Sequence, residues 1–391
     1  MRGYVQRVEP LERARKLIAS WDESLRRELP ADADIFDAHT HLGTDIDGMV
    51  GRPEELEELM DRYGVSRCFA FCLDEPDRHP GFRAGNDRTL AFAARSNGRM
   101  IPFVRLALDE GPMEEARRCL DLGARGIKLH PRAQRFALDD DRLAPVFELA
   151  AEQRVPILIH GGRGLPPIAD GLDRLVDANP GTQLIIAHAG IADLAALAGR
   201  FAGKAGVFFD TSVWSPIDLL SFFRLVPPEQ VVYASDYPYG GSSTSLLIAL
   251  HTARLAGLDE EEIRGMLGGN ANRIADGEPP RKPTTPRGPE MLSQPLALAR
   301  VHQYLTMATP LLWTRQPDTI GALGLALNAC TARNGGGTPD EFDRIRELLL
   351  AAQDTWRMLP DAVGEDEVRV VSRTTFRLIH LADIVAVTSC A

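Results

Sequence analysis

The stretch Ile35-Phe36-Asp37-Ala38-His39-Thr40-His41 begins apolar and ends on two imidazoles one residue apart. On a β-strand alternate side chains share a face, so His39 and His41 point the same way and offer one ion two nitrogens. With nine histidines in 391 residues, chance supplies roughly 0.2 His-x-His pairs, so the pair alone carries limited weight. Repetition carries more. Four further apolar runs end on a potential metal ligand: Gly126-Ile127-Lys128-Leu129-His130, Ile157-Leu158-Ile159-His160, Ile185-Ile186-Ala187-His188 and Tyr233-Ala234-Ser235-Asp236.

Outward from these runs, strand-like segments alternate with helical patterns at intervals of roughly 25 to 35 residues, the rhythm of βα units and a parallel sheet. Eight strands are predicted: Ile35 to His41, Cys68 to Asp74, Met100 to Ala107, Ala124 to Pro131, Val155 to Gly161, Gln183 to Gly190, Val207 to Ser212 and Val231 to Pro238. Amphipathic stretches such as Pro53 to Tyr63, Met113 to Leu122 and Asp141 to Gln153 lie between them. Eight such units predict an α/β fold, the (β/α)8 TIM barrel, whose active site lies at the C-terminal strand ends, where every candidate ligand falls. A doubly wound open sheet would not bring five such ends round one centre.

A chain of 391 residues exceeds the roughly 250 of such a barrel. Residues 1–30 read as one amphipathic helix on the barrel's outside, with Leu11, Ala14, Ile18 and Trp21 on a stripe. Residues 31–276 form the barrel, and 277–293 a linker with five prolines between Gly277 and Pro289. Residues 294–391 are a mainly helical appendage, expected as segments 294–312, 317–333, 339–358 and 368–388. That tail packs, covers the site or makes a homodimer, and the pattern does not choose among these.

Composition excludes several classes of function. A net charge of −11 without a basic cluster argues against nucleic acid as a partner. No apolar stretch approaches the ~20 residues that cross a bilayer, so no membrane partner is expected. The first thirty residues mix Arg, Glu and Asp and lack a signal peptide's apolar core. Cys68, Cys72, Cys119, Cys330 and Cys390 are odd in number and read as reduced thiols, placing the protein in the cytoplasm.

His39, His41, His160 and Asp236 supply three neutral nitrogens and a carboxylate, a set suited to Zn2+ and tolerable to Mn2+ or Fe2+. Four unrelated polar groups inside an apolar barrel would be costly to bury. The ordered set, with Gly126 to Pro131, Ile186 to Gly190, Ser235 to Tyr239 and Gly269-Asn270-Ala271, resembles the amidohydrolase superfamily, specifically its amidohydrolase-related (amidohydrolase 2) branch of metal-dependent enzymes. The likeness spans about residues 34 to 275.

The resemblance implies one divalent ion on His39, His41, His160 and Asp236, with His188 contacting the substrate or the attacking water. Asp236 is then the catalytic proton shuttle, and His188 polarises the substrate or orients the water. Lys128 has three readings: a carbamylated bridge between two ions, an ammonium paired with an acidic substrate or with Asp236, or a structural lysine. His130 is a ligand or a turn residue. Around a small-molecule substrate strand four would place Lys128 and His130 and the strand-end loops Arg163, Trp214 and Tyr237, with Arg163 suited to clamp a carboxylate. The expected reaction is hydrolysis of a C–N or C–O bond in an amide, lactone or ester. The alternative is non-oxidative decarboxylation of an aromatic or unsaturated acid on the same ion. A barrel without catalysis, serving assembly through its tail, is the third reading.

Overall fold

The computed structural model describes residues 2–290, 292–316, 318–331 and 337–389. Cys390, and Pro317, Ala332 and Arg333 of the expected segment 317–333, lie outside them. The chain divides into two units: Pro30–Val213 with Asp218–Gly288, and Met1–Leu29 with Trp214–Ile217 and Pro289–Ala391.

The larger unit is built on β1 (Ile35–Thr44), β2 (Val50–Gly51), β3 (Val65–Cys72), β4 (Met100–Arg105), β5 (Gly126–Leu129), β6 (Ile157–Ile159), β7 (Leu184–Ile186), β8 (Val207–Asp210) and β9 (Val231–Val232). The sheet order is β2-β1-β3-β4-β5-β6-β7-β8-β9. β2 pairs antiparallel with β1, and every other pairing is parallel. The free edges then meet: Ala38 N–H donates to Tyr233 O at 2.9 Å, His41 N–H donates to Tyr237 O at 2.7 Å, and Thr40 forms a parallel bridge with Tyr237. Eight parallel strands thus curl into the predicted barrel, which removes the exposed edges an open sheet must protect.

Local chemistry explains the elements. The short strands β6 and β7 are buried on both faces, so they read as continuous apolar runs rather than alternating ones. The helix Pro53–Tyr63 starts on a proline, whose missing N–H costs nothing in a first turn. It stops at Gly64, whose φ of 71° a side chain would resist. Inside the barrel Phe103 lies 4.5 Å from Phe69 and 6.3 Å from Phe71, ring centre to ring centre. Gly126 leaves that aromatic layer its room, since a Cβ there would stand 2.5 Å from the Phe103 ring.

Six of the eight predicted strands, β4 to β9, are shorter than expected. The regular ladder of β7 stops at Ile186 and that of β9 at Val232. Beyond them His188 (φ 57°), Ala189 (φ 53°) and Asp236 (φ 57°) take left-handed backbone, which cannot continue a strand.

In the second unit the described helices are Arg2–Glu28, Leu296–Trp313, Thr319–Ala329, Pro339–Trp356 and Gly364–Thr388. Ala14, Ile18, Trp21 and Leu25 form the buried stripe of the first of these. Its ion pairs run to the tail, Arg13 to Asp354 at 3.3 Å and Asp22 to Arg377. The segment read from sequence as a helix on the barrel's outside shares a unit with the C-terminal helices. No described helix is long and apolar enough to cross a membrane.

Candidate metal centre

At the end of β1 the two imidazoles face each other as alternation requires, with Nε2 of His39 and of His41 3.1 Å apart. Asp236, just past β9, brings Oδ1 to 3.4 Å from His39 Nε2 and 3.2 Å from His41 Nε2. Donors bonded to zinc at about 2.0–2.1 Å in a tetrahedron stand about 3.3–3.4 Å apart, so this near-equilateral triangle has the edge length of one coordination face. All three side chains are buried. Among the described residues His41 Nδ1 is enclosed without a partner, and that ring's polar contacts are at Nε2. His188 joins the group: it, His39 and Asp236 each offer a ligand atom within 4.8 Å of the others. The donor set fits a divalent cation.

The lone pairs are aimed by a residue that sequence reading passed over. Asp210, the last residue of β8, is fully buried, and its Oδ2 accepts from His39 Nδ1 at 2.7 Å. Its Oδ1 accepts from the backbone N–H of His188 at 2.8 Å, that of Ser212 at 3.0 Å and the Ser212 hydroxyl at 2.5 Å. A carboxylate facing Nδ1 keeps the proton there and leaves Nε2 of His39 bare, the tautomer a metal needs. The same logic holds at His188, whose Nδ1–H donates to Ser212 O at 2.9 Å, leaving Nε2 bare 3.0 Å from His160 Nδ1. Asp210 could have been found by the signal that found the others, since Val207-Phe208-Phe209-Asp210 is also an apolar run ending on a ligand type.

Burial sets the electrostatics. It pushes His39, His41, His130 and His160 well below the ordinary imidazole range, so all four are neutral donors. It raises the Asp236 carboxyl to about 6, with His188 and Lys128 opposing burial and Asp210 adding to it, and lowers the Lys128 ammonium to about 7, with Asp236 and Asp210 opposing burial and Arg105 adding to it. Lys128 Nζ lies 3.1 Å from His39 Nε2 and 4.6 Å above the Phe71 ring. Asp37, which accepts from the backbone N–H of His39 at 3.2 Å and of Ser235 at 2.9 Å, is raised by burial to about 7.

The other predicted positions separate. His130 stacks on His160 with ring centres 3.9 Å apart and 11° between planes, and its Nδ1 accepts from Ala133 N–H at 3.2 Å. Tyr237 is buried, and its hydroxyl donates to Arg52 O at 3.1 Å and accepts from Arg52 N–H at 3.0 Å. Its neighbour Tyr239 places its ring edge-on to His41 at 5.8 Å. Arg163 is exposed and pairs with Asp218 at 2.7 Å. Trp214 belongs to the helical unit, where it meets Phe376 at 5.4 Å and His380 at 6.1 Å.

A model of the family described as Amidohydrolase matches residues 36–274. No curated protein matches the chain. Among solved structures, the apo form of Metarhizium anisopliae IDCase shares 16% identity at a TM-score of 0.50, covering 63% of this chain and 98% of its own. A putative amidohydrolase from Staphylococcus aureus shares 18% identity at 0.50, covering 62% and 99%. The 5-carboxyvanillate decarboxylase LigW from Sphingomonas paucimobilis shares 16% at 0.50, covering 63% and 99%. At such identities the likeness is one of fold, whereas the family match covers more than half of the chain, including β1 and its histidines, His160, His188, Asp210 and Asp236. The chain belongs to the amidohydrolase family.

Proposed function

We propose that the protein is a metal-dependent hydrolase of a C–N or C–O bond in a small amide, lactone or ester. His39, His41 and Asp236, with an imidazole nitrogen of the His160–His188 pair, would hold one divalent ion, zinc by the chemistry of these donors. The observation that carries this is the triangle of His39 Nε2, His41 Nε2 and Asp236 Oδ1, with edges of 3.1, 3.4 and 3.2 Å. An ion held there would polarise a carbonyl and make a water acidic near neutrality.

The protein's own groups do the rest. Asp236 takes up the proton released on attack and hands it to the leaving group. The ring nitrogen of His188 left free by its Nδ1–H bond orients the water or the substrate oxygen. Left-handed backbone at His188 and Asp236 is the kind of strain that functional sites retain, and here it turns both side chains toward the centre.

The test is metal analysis of the purified protein beside His41→Ala, then a panel of lactones, esters, amides and aromatic acids followed by acid titration and by CO2 release. Metal in the parent that is lost in the variant, with acid formed from an ester, lactone or amide, supports the reading. Absence of metal ends it, and CO2 release from an aromatic acid replaces hydrolysis with decarboxylation.

A further inference from the structure

Arg105, the last residue of β4, is a buried cation that the scheme above does not use; its side chain is 3% exposed. It pairs in register with Lys128 on β5, so the two side chains leave the same face of adjacent parallel strands. Lys128 reaches His39 at 3.1 Å, so that face is the one that carries the centre. Arg105 lies close enough for its charge to act on His41, His130 and Lys128.

The backbone from which it departs is clamped. Asn86 accepts from Arg105 N–H at 2.9 Å and donates to Arg105 O at 3.0 Å, and is itself tied to Glu115 at 2.9 Å. One face of the guanidinium lies over the Phe82 ring at 4.7 Å. Its single hydrogen bond among the described residues runs from Nη1 to Cys72 O at 3.3 Å. Nε is enclosed with no partner, and no described carboxylate pairs with the group.

A guanidinium keeps its charge at any pH a cell reaches, and a buried, unpaired charge persists only where something offsets it. The edge without a hydrogen bond, Nε with Nη2, has the geometry that grips a carboxylate side-on through two parallel bonds.

We propose that Arg105 is the receptor for a carboxylate of the substrate, which makes the substrate an acid held at β4 while its reacting bond lies at His39, His41 and Asp236. This rests on the metal-centre reading. Arg105 acts as a specificity-determining residue, orienting the substrate by its charged end. Arg163, which sequence reading favoured for that task, is already paired with Asp218 at the surface.

The experiment uses the zinc-loaded full chain with acetate as probe, acetamide as its neutral isostere and sodium chloride at matched ionic strength, and reads the melting temperature by calorimetry. Acetate raises the melting temperature of the parent and acetamide does not, while Arg105→Met needs about tenfold more acetate for half the shift. Without acetate, Arg105→Met melts no lower than the parent, because an unpaired charge has been removed; a structural arginine would give a lower value. Arg105→Lys keeps the charge but not the fork, and its acetate response is weaker than the parent's; it decides the matter should the methionine variant not fold. A shift equal in parent and variants, a shift in none, or a large drop in melting temperature without acetate overturns the proposal. Zinc content measured on the same samples judges the metal centre separately, since the acetate comparison stands whether or not metal is retained.

Discussion

Replacing Asp210 with asparagine changes one atom and should reverse a tautomer. Three donors, His188 N–H, Ser212 N–H and the Ser212 hydroxyl, converge on Asp210 Oδ1 at 2.8, 3.0 and 2.5 Å, so the oxygen of an asparagine must stay there. The new NH2 then replaces Oδ2 and faces His39 Nδ1, which now accepts a hydrogen bond where it had donated one at 2.7 Å. His39 must answer by carrying its own proton on Nε2, the atom 3.1 Å from His41 Nε2 and 3.4 Å from Asp236 Oδ1. The lone pair that would hold the ion is gone. Loss of such a supporting bond typically lowers metal affinity about 10- to 100-fold, or roughly 1.4–2.7 kcal/mol. The fold suffers less, about 1–2 kcal/mol, because every donor on Oδ1 keeps its acceptor. Asp210→Ala is the contrasting case, stranding buried donors at roughly 1–3 kcal/mol each. Zinc affinity is read by competition against a chromophoric chelator, with a circular-dichroism melt confirming the fold. A folded Asp210→Asn that binds zinc within about twofold of the parent would refute the argument, since His39 would then not use a bare Nε2.

Other outcomes follow from the same structure. Stripping the metal with a chelator should lower the melting temperature, and restoring free zinc to about 100 times its dissociation constant should return about 2.7 kcal/mol; a calorimetric scan that does not move sinks the coupling of ion to fold. Lys128→Met should leave a single ion bound; a parent holding two ions of which the variant loses one, read by elemental analysis, would instead establish a carbamylated lysine. Gly126→Ala should destabilise by about 1–3 kcal/mol in urea titration, because its Cβ meets the Phe103 ring at 2.5 Å with buried aromatics behind it. Unchanged stability there would mean that the aromatic layer yields more easily than its contacts imply.

What could be read in advance followed from periodicity, and what could not followed from its interruption. Residue alternation placed His39 and His41 on one side because both lie within a strand, and the register shift between Asp37 and Thr40 did not undo this. The βα rhythm gave the barrel because burial on both faces makes parallel strands such as β6 and β7 plain apolar runs. Position was legible at His188 and Asp236, but the geometry was not. Both lie past the end of a ladder, in left-handed backbone that no alternation rule describes. Loop side chains were least legible of all: Arg163 and Tyr237 follow strand ends equally well, yet one lies in solvent on Asp218 and the other is buried against the Arg52 backbone.

Asp210 and Arg105 went unread for a different reason. Asp210 ends an apolar run and Arg105 interrupts one, but a lone carboxylate or guanidinium in such a run shows its role only through its partner. Asp210 is 171 residues from His39 in sequence and 2.7 Å from it in space. Arg105 is the converse, identified by a partner it lacks. The histidines could be inferred from their spacing because two ligands on one strand carry their own geometry. The groups that aim those histidines, and the charge that waits beside them, become visible only when the barrel closes.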